Sequence, residues 1–397
     1  MAEAGVNANE GSGAKLNGLR ILATVTLGPN QLRAHLEPIL RLPEVESITL
    51  VSDRAGPSMP KFRTVIPRRP LTRLLGRAGA KLITCLSVAR RERPDWIVSY
   101  NLVPHTINAR LVGWLLHRPV MCHLIGGPVE WQGGGWRSDN RILGRLPRPF
   151  HLLEALLVRL IRGCDVVVVM GPQSRESLIE RGVPPERVVI VPGGVDPQRF
   201  RPANGATPVY QLVTAGRLIP TKQTLDFVRA FARLRVRRPA LKAAVLGDGP
   251  LEQAIRAEAN RLGVDGAIEF LGFRHDIENI YAQSEIFVLT SRNEGLSLAM
   301  LEAMASGLTV VVSDVGEARV VVEDARSGYL FPPGDVDALV DRLERVLDDA
   351  PLRARLGQAA EKEALRVAEY GRIEAAYRRI LVEEAPRDEG ASTASKS

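Results

Sequence analysis

Residues 294–307, EGLSLAMLEAMASG, are flanked by two short apolar runs, 285–290 (EIFVLT) and 308–313 (LTVVVS). Runs of this length that are rich in β-branched residues are typical of buried strands. Between them, apolar residues recur at helical spacing over 296–305. Gly307 follows where such a helix would end, because glycine readily adopts the left-handed backbone of a helix stop. The stretch therefore predicts a strand, a loop, a helix and a second strand.

Two glutamates lie at the beginning of this helix and inside it. Glu294 precedes the predicted helix, and Glu302 is about two turns further on. A helix N-terminus presents free N–H groups and the positive end of the helix dipole, so it suits a phosphate. Flanking carboxylates suit the hydroxyls of a sugar and a ribose. We therefore predict a diphosphate seat whose backbone is supplied by Gly295, Leu296, Ser297 and Leu298. The alternative is a surface helix with two solvated glutamates.

The composition indicates a globular, basic chain. Its 397 residues suffice for two domains, and an apolar content of 45% with 25% charged residues excludes a disordered chain. The net charge of +8 favours anionic partners such as nucleotide sugars or anionic lipid. The sequence shows no pattern typical of nucleic-acid binding. Three scattered cysteines (Cys85, Cys122 and Cys164), without a recognisable secretion signal, predict a cytoplasmic protein.

Apolar runs alternate with turns and helical segments along the chain. The first run, 19–25, ends at a turn that contains Gly28 and leads into a helix. A glycine turn between a strand and a helix is the usual phosphate-side loop of an α/β domain, so Gly28 is a predicted donor contact. The repeated alternation predicts parallel, doubly wound sheets.

A basic amphipathic segment covers residues 68–93. Its leucines and alanines form one stripe, and arginines crowd its N-terminal half. An ordinary helix packed on the sheet explains the stripe. The alternative is contact with an anionic membrane surface, which would place the protein on the inner face of the membrane.

A glycine-rich segment, 126–135, follows the predicted strand 120–125. Ligand sites of open α/β sheets lie at the carboxyl ends of strands. We therefore place the acceptor here, with His123 and Glu130 as its candidate contacts. Because His123 is on the strand itself, a buried histidine with satisfied hydrogen bonds is the alternative.

The second half of the chain carries two cations on a glycine turn. A predicted strand, 210–215, is followed by Gly216, Arg217 and, five positions later, Lys222. Arginine offers a planar fork and lysine a point charge, so together they could neutralise a departing diphosphate. A solvated pair of cations is the alternative.

Three segments resemble one known family. Residues 294–316, EGLSLAMLEAMASGLTVVVSDVG, resemble the Glu-x7-Glu signature of retaining glycosyltransferase family 4. Residues 192–200, PGGVDPQRF, resemble its Pro-Asn-Gly-Val-Asp segment, and residues 216–222 resemble its Gly-Arg-Leu…Lys loop. The resemblance implies the GT-B fold of the α/β class. In this fold two doubly wound, Rossmann-like domains face each other across a cleft, and a C-terminal helix returns to the first domain.

The resemblance also implies how the chain divides. The expected parts are a disordered tail (1–17), an acceptor-side domain (18–203), a nucleotide-sugar domain (204–365), a crossover helix (366–384) and a second disordered tail (385–397).

The implied reaction transfers a sugar from a UDP- or GDP-sugar to an acceptor hydroxyl, with retention of configuration and without metal or cofactor. Glu294 would orient the sugar, while Arg217 and Lys222 would stabilise the leaving diphosphate. The implied donor-binding residues are Gly28, Gly216, Arg274, Gly295, Leu296, Ser297, Leu298 and Glu302.

The sequence also departs from the family. Ile125 stands where a histidine often lies, Glu317 where glycine is usual, and Val320 where an acid is frequent. A sugar-nucleotide epimerase of the same fold and a non-catalytic sugar or lipid binder therefore stay open as alternatives. The pair Asp335 and Asp337 has metal-binding spacing, but Asp335 as a helix N-cap is the simpler interpretation.

Overall fold

The computed structural model describes residues 18–133, 143–146, 148, 150–203 and 208–384. The two predicted tails and the end of the glycine-rich segment, from residue 134, lie outside this range.

The first domain is built on a parallel sheet with the strand order β3-β2-β1-β4-β5-β6-β7. Helices connect the strands, which makes the sheet doubly wound. Its elements are β1 (Leu19–Thr24), α1 (Pro29–Leu40), β2 (Val45–Val51), β3 (Phe62–Val65), α2 (Arg69–Glu92), β4 (Trp96–Tyr100), α3 (Ile107–Leu116), β5 (Val120–Leu124), α4 (His151–Arg162), β6 (Val166–Val169), α5 (Pro172–Glu180) and β7 (Val188–Ile190).

The second domain repeats this plan with a parallel sheet in the order β10-β9-β8-β11-β12-β13. Its elements are β8 (Tyr210–Ala215), α6 (Thr224–Arg237), β9 (Ala243–Leu246), α7 (Glu252–Arg261), β10 (Ile268–Gly272), α8 (Ile277–Tyr281), β11 (Ser284–Leu289), α9 (Leu298–Ala305), β12 (Thr309–Ser313), β13 (Tyr329–Phe331), α10 (Val336–Asp348) and α11 (Ala350–Ala368). A last helix, α12 (Tyr370–Arg378), follows.

The central strands are apolar because helices cover both faces of each sheet. All five residues of β12 and all five of β5 are buried. The predicted fold class, two Rossmann-like α/β domains, is confirmed.

The chain crosses between the domains twice, at adjacent points. The Val195 N–H donates to the Ala368 carbonyl at 2.7 Å, and the Tyr370 N–H donates to the Val195 carbonyl at 3.2 Å. Beyond this point α12 packs on α1, and the Tyr377 hydroxyl lies 3.0 Å from Nε2 of His123. The last helix therefore completes the core of the first domain.

Several helices differ from the predictions. The crossover helix expected over 366–384 is divided, because α11 continues to Ala368 and α12 begins at Tyr370. The helix expected over 296–305 begins at Leu298, because the Ser297 side chain caps it by accepting the Met300 N–H. Helix α2 is kinked at Gly76, whose φ is +67°. Helix α3 has no counterpart among the predicted elements. The predicted N-cap role of Asp335 is confirmed, since its Oδ1 accepts the Ala338 N–H at 2.9 Å.

Candidate active site

A lysine and a glutamate on loops that follow adjacent strands form the centre of the candidate site. Lys222 Nζ lies 2.5 Å from Oε1 of Glu294, and Ser291 Oγ donates to the same oxygen at 2.6 Å. The two side chains are only 22% and 12% exposed, respectively. Lys222 follows β8 and Glu294 follows β11, and these strands are paired. The structure thus brings together two residues that the sequence separates by 72 positions.

Neighbouring hydrogen bonds fix the two loops to each other. Thr290 Oγ1 lies 2.9 Å from the Lys222 carbonyl oxygen and 3.0 Å from that of Gln223. The Arg292 N–H donates to the Thr221 carbonyl at 2.8 Å. The backbone that carries the lysine is therefore held against the backbone that carries the glutamate.

Gly216 and Arg217 begin the lysine loop. The Gly216 carbonyl is so close to Gly247 that a Cβ there would lie 1.9 Å from it, and Gly247 has a φ of +117°. Only glycine fits this approach. Arg217 is exposed, at the edge of the loop rather than in the Lys222–Glu294 pair.

The predicted diphosphate seat lies where the two domains meet. Gly295, Leu296 and Ser297 are buried, and Leu298 is half-buried. A Cβ on Gly295 would come within 2.1 Å of the Ile125 carbonyl oxygen. The seat is therefore bordered by the end of β5 and the turn that follows it.

Glu302 lines a cavity of about 100 Å³ between the domains. Its side chain comes from α9 and it is 5% exposed. Burial raises the pKa of Glu302 to about 8, although Arg199 opposes this shift. The other polar residues around the cavity are Asn30, Arg33, Glu37, Asp196, Arg199 and Tyr370. A protonated carboxyl and several hydrogen-bonding groups thus face one small space.

Gly28 and Arg274 lie on loops that face each other across the domains. Gly28 is exposed, with open space where a Cβ would be. Two residues later, Asn30 Nδ2 donates to the Arg274 carbonyl at 3.3 Å. The Arg274 guanidinium makes two hydrogen bonds to Asp276, at 2.9 and 2.7 Å, which raise the pKa of Arg274. Its side chain is therefore oriented by Asp276.

His123 and Glu130 occupy structural positions. His123 is fully buried, stacked on Tyr100 at 4.2 Å and bonded to Tyr377. Burial, with His35 nearby, lowers the pKa of His123 well below its usual value, so the ring stays neutral. The ring is buried, as the alternative from the sequence expected, although its Nδ1 has no hydrogen-bond partner among the described residues. This burial corrects the placement of His123 at the acceptor.

Glu130 accepts two backbone N–H bonds, from Gly126 at 2.6 Å and from Leu102 at 2.8 Å. Both carboxylate oxygens therefore tie together the loops after β4 and β5. Glu130 therefore supports these loops, and its contact with an acceptor stays a prediction.

A polar cluster that the sequence did not indicate lies at the end of β1. Lys81 Nζ, although Lys81 is buried, contacts Asp53 Oδ2 at 2.7 Å and Thr26 Oγ1 at 2.6 Å. His105 is close by, and its pKa is lowered to about 3 by burial and by Lys81. The available signal was a lysine inside the apolar half of α2, together with polar residues directly after β1 and β2.

Within the residues that the structure describes, no three His, Cys, Asp or Glu side chains are grouped so that they could hold a metal ion. None of the helices described is both long and apolar enough to cross a membrane.

Comparison with known proteins assigns the two halves to glycosyltransferase models. Residues 44–199 match "Glycosyltransferase Family 4", and residues 197–363 match "Glycosyl transferases group 1".

Curated relatives agree with this assignment. A UDP-Gal:alpha-D-GlcNAc-diphosphoundecaprenol alpha-1,3-galactosyltransferase of Escherichia coli is 30% identical over 287 residues, covering 68% of this chain and 71% of the relative. An exopolysaccharide phosphotransferase of Streptomyces coelicolor is 30% identical over 219 residues, covering 54% of this chain but 23% of the relative. The chain spans only 23% to 51% of the length of the first two curated relatives.

Solved structures show the same architecture. Anabaena HepE in complex with UDP and glucose superimposes with a TM-score of 0.72 at 19% identity, over 91% of this chain and 98% of that one. Sucrose-phosphate synthase from Thermosynechococcus elongatus gives a TM-score of 0.72 at 18% identity, over 91% and 98%. The two facing Rossmann-like domains define a GT-B protein. This architecture, the two family models and the Escherichia coli relative together show that this chain belongs to the GT-B glycosyltransferases.

Proposed function

We propose that this protein is a retaining glycosyltransferase that moves a sugar from a nucleotide-diphosphate sugar to an acceptor hydroxyl, without metal or cofactor. The observation that carries the proposal is the Lys222–Glu294 pair, whose glutamate lies on the loop that leads into α9. The same helix carries Glu302, which lines the cavity between the domains. Glu294 would contact the sugar, Lys222 the diphosphate and Glu302 the ribose, which gives each part of the donor one charged or polar partner.

In the proposed reaction the bond between the anomeric carbon and the diphosphate oxygen breaks, and its electron pair stays on that oxygen. The acceptor oxygen attacks the anomeric carbon from the same face, and its proton passes to the departing diphosphate. Lys222, Arg217 and the amides of residues 295–298 would stabilise the charge on the leaving group, a form of help worth about 3 kcal/mol per donor. Glu294 would orient the sugar and favour positive charge at its ring.

We further propose that the donor is a uridine nucleotide. The Escherichia coli relative is named for UDP-Gal, and Anabaena HepE was solved with UDP and glucose. A thermal-shift panel of UDP-, GDP- and ADP-sugars tests the point, because a bound donor raises the melting temperature by mass action.

A turnover assay tests the function itself. The expected result is slow release of UDP from a UDP-sugar without acceptor, with retained configuration at the anomeric carbon of the product. An epimerised nucleotide sugar would instead identify the epimerase alternative. Binding without any release, across the panel and with acceptor extracts added, would identify a non-catalytic binder.

For the acceptor we propose the edge formed by Thr26, Asp53 and Lys81. Thr26 is exposed and the Asp53 side chain is 23% exposed, so both can reach a ligand, while Lys81 neutralises Asp53 from below. A neutral pair of this kind suits sugar hydroxyls better than a phosphate. Asp53→Asn should raise the KM for acceptor about tenfold and leave the release of UDP without acceptor unchanged. An unchanged acceptor KM would exclude this edge.

We also propose that the N-terminal half of α2 contacts the anionic inner face of a membrane. Leu74 is 80% exposed and Leu75 is 45% exposed, and Arg69, Arg73 and Arg77 lie beside them on the surface. Exposed leucines among arginines are the pattern of an interfacial helix. The name of the Escherichia coli relative describes an acceptor linked to diphosphoundecaprenol, which is consistent with such a location.

A further inference from the structure

A carboxylate of the second domain is buried in the first. Glu317, which follows β12, is 2% exposed. Its Oε1 accepts the Ser174 N–H at 2.7 Å, and its Oε2 accepts the Gln173 N–H at 3.2 Å. Both donors belong to the first turn of α5, more than 140 positions earlier in the chain.

Helix α5 has no cap of its own at this end. Its N-cap is Gly171, which has no side chain, and Pro172 follows at the first helical position. The first N–H groups of a helix and the positive end of its dipole favour a negative charge. Glu317 therefore supplies from the other domain the cap that α5 lacks.

Gly171 provides the room for this carboxylate. A Cβ built on Gly171 would lie 2.4 Å from Oε2 of Glu317. The φ of Gly171 is −174°, an extended conformation that any residue can adopt. The absence of a side chain at this position is thus explained by the space that the Glu317 carboxylate occupies.

The same residue is bonded to the active-site loop. The Glu317 N–H donates to the Gly295 carbonyl at 2.9 Å. A Cβ on the preceding Gly316 would lie 2.1 Å from the Glu294 carbonyl oxygen. The Glu317 segment therefore touches the backbone of the Glu294 loop on one side and the first domain on the other.

We propose that Glu317 is an interdomain latch: its carboxylate holds α5 and thereby keeps the Glu294 loop against the first domain. It is a positioning residue, because it acts through Glu294 and the seat at residues 295–298. The latch shifts the balance between open and closed domains toward closed before the donor arrives. Without the latch, fewer molecules are closed before the donor binds. Part of the donor's binding free energy is then used to close the cleft, and the apparent affinity for the donor falls in proportion to the fraction of closed molecules.

The first test measures the distance between the domains and does not depend on the proposed activity. Cys85, Cys122 and Cys164 are all buried, so spin labels can be directed to cysteines introduced at Glu176 and Arg326, which are exposed on either side of the latch. Pulsed electron paramagnetic resonance should give one short distance in the labelled parent and a longer, broader distribution in Glu317→Ala.

Glu363→Ala is the matched control for that measurement. It removes a glutamate of the same domain that pairs only with Arg366 of its own helix among the described contacts, and it should keep the parent distance. The same distribution in Glu317→Ala and in the parent would overturn the latch. Circular dichroism melting checks that each variant is folded.

The second test uses the fit between Gly171 and Glu317 and rests on the proposed function. Gly171→Ala should displace the Glu317 carboxylate, and Glu317→Gly removes it. Each variant should lower kcat/KM for the donor about tenfold, mainly through a higher KM. In the double variant the clash is absent, so its kcat/KM should equal that of Glu317→Gly alone. Additive losses would mean that the two residues act separately and would overturn the latch.

Glu317→Gln completes the series. It keeps one acceptor oxygen for the Ser174 N–H but removes the charge. Its KM for the donor should therefore lie between those of the parent and Glu317→Gly, and its interdomain distances between those of the parent and Glu317→Ala. If no UDP-sugar is turned over by the parent, the proposed function fails, and the distance measurements still decide the latch.

Discussion

Glu302 lies buried in the cavity between the two domains. Burial in the cavity raises the pKa of Glu302 from 4.5 to about 8. A proton is therefore bound more tightly in the folded state than in the unfolded state. The contribution of this proton to stability is fully present below about pH 4.5 and is lost as the pH rises through about 8.

The magnitude follows from the shift, at about 1.36 kcal/mol for each pH unit. Over the 2.5 units between pH 4.5 and about pH 7, wild type loses about 3 kcal/mol of its unfolding free energy through this group. Glu302→Gln has the same shape and no titrating proton. We therefore expect the variant to exceed wild type in stability by about 3 kcal/mol at pH 7 and to match it below pH 4.5. Urea unfolding across this range measures the difference.

Nucleotide binding should release the same proton. At about pH 7 only about one-tenth of Glu302 is ionised, so a ribose held by the carboxylate would release about 0.9 proton per nucleotide. Isothermal titration calorimetry with UDP, in two buffers of different ionisation enthalpy, measures the number. Glu302→Gln should release none at this site. Zero release from wild type, with equal pH dependence of stability in both proteins, would refute the reasoning.

Two further predictions concern the reacting groups and the membrane surface. Glu294→Ala should abolish transfer while UDP still raises the melting temperature; Lys222→Ala and Arg217→Ala should each lower kcat by about a hundredfold with little change in melting temperature. Normal turnover in Glu294→Ala would remove it from the site, and normal turnover in both cation variants would remove them. The protein should float with anionic liposomes at low salt, and Leu74→Ser with Leu75→Ser should weaken this binding several-fold. Wild type that stays unbound at low salt would exclude the membrane contact.

The sequence predicts those features that depend on nearby residues. The buried strands around α9 are short β-branched runs, and the two loops that carry Lys222 and Glu294 each directly follow a strand. The pairing of Lys222 with Glu294 follows once β8 and β11 are neighbours in one sheet.

The remaining features depend on how distant segments pack. His123 was placed two residues from the end of a strand, but both faces of this central strand are covered, so its position in the strand could not show whether the ring reaches the cleft. Glu317 looked only like a departure from a family pattern, because its partners at Gln173 and Ser174 become neighbours only when the two domains meet. Lys81 belongs to the basic segment 68–93, and the sequence does not show that Asp53 and Thr26 allow it to be buried.

The return of the chain at Tyr370 also has a consequence for biosynthesis. Tyr377, on the last helix, is fully buried against His123, and Arg378 of the same helix reaches Glu44 near the start of the first domain. The first domain leaves the ribosome first, but its core is complete only after α12 has been synthesised and has packed on it. A nascent polypeptide stalled before residue 370 would carry an unfinished amino-terminal lobe, however completely its seven strands had assembled.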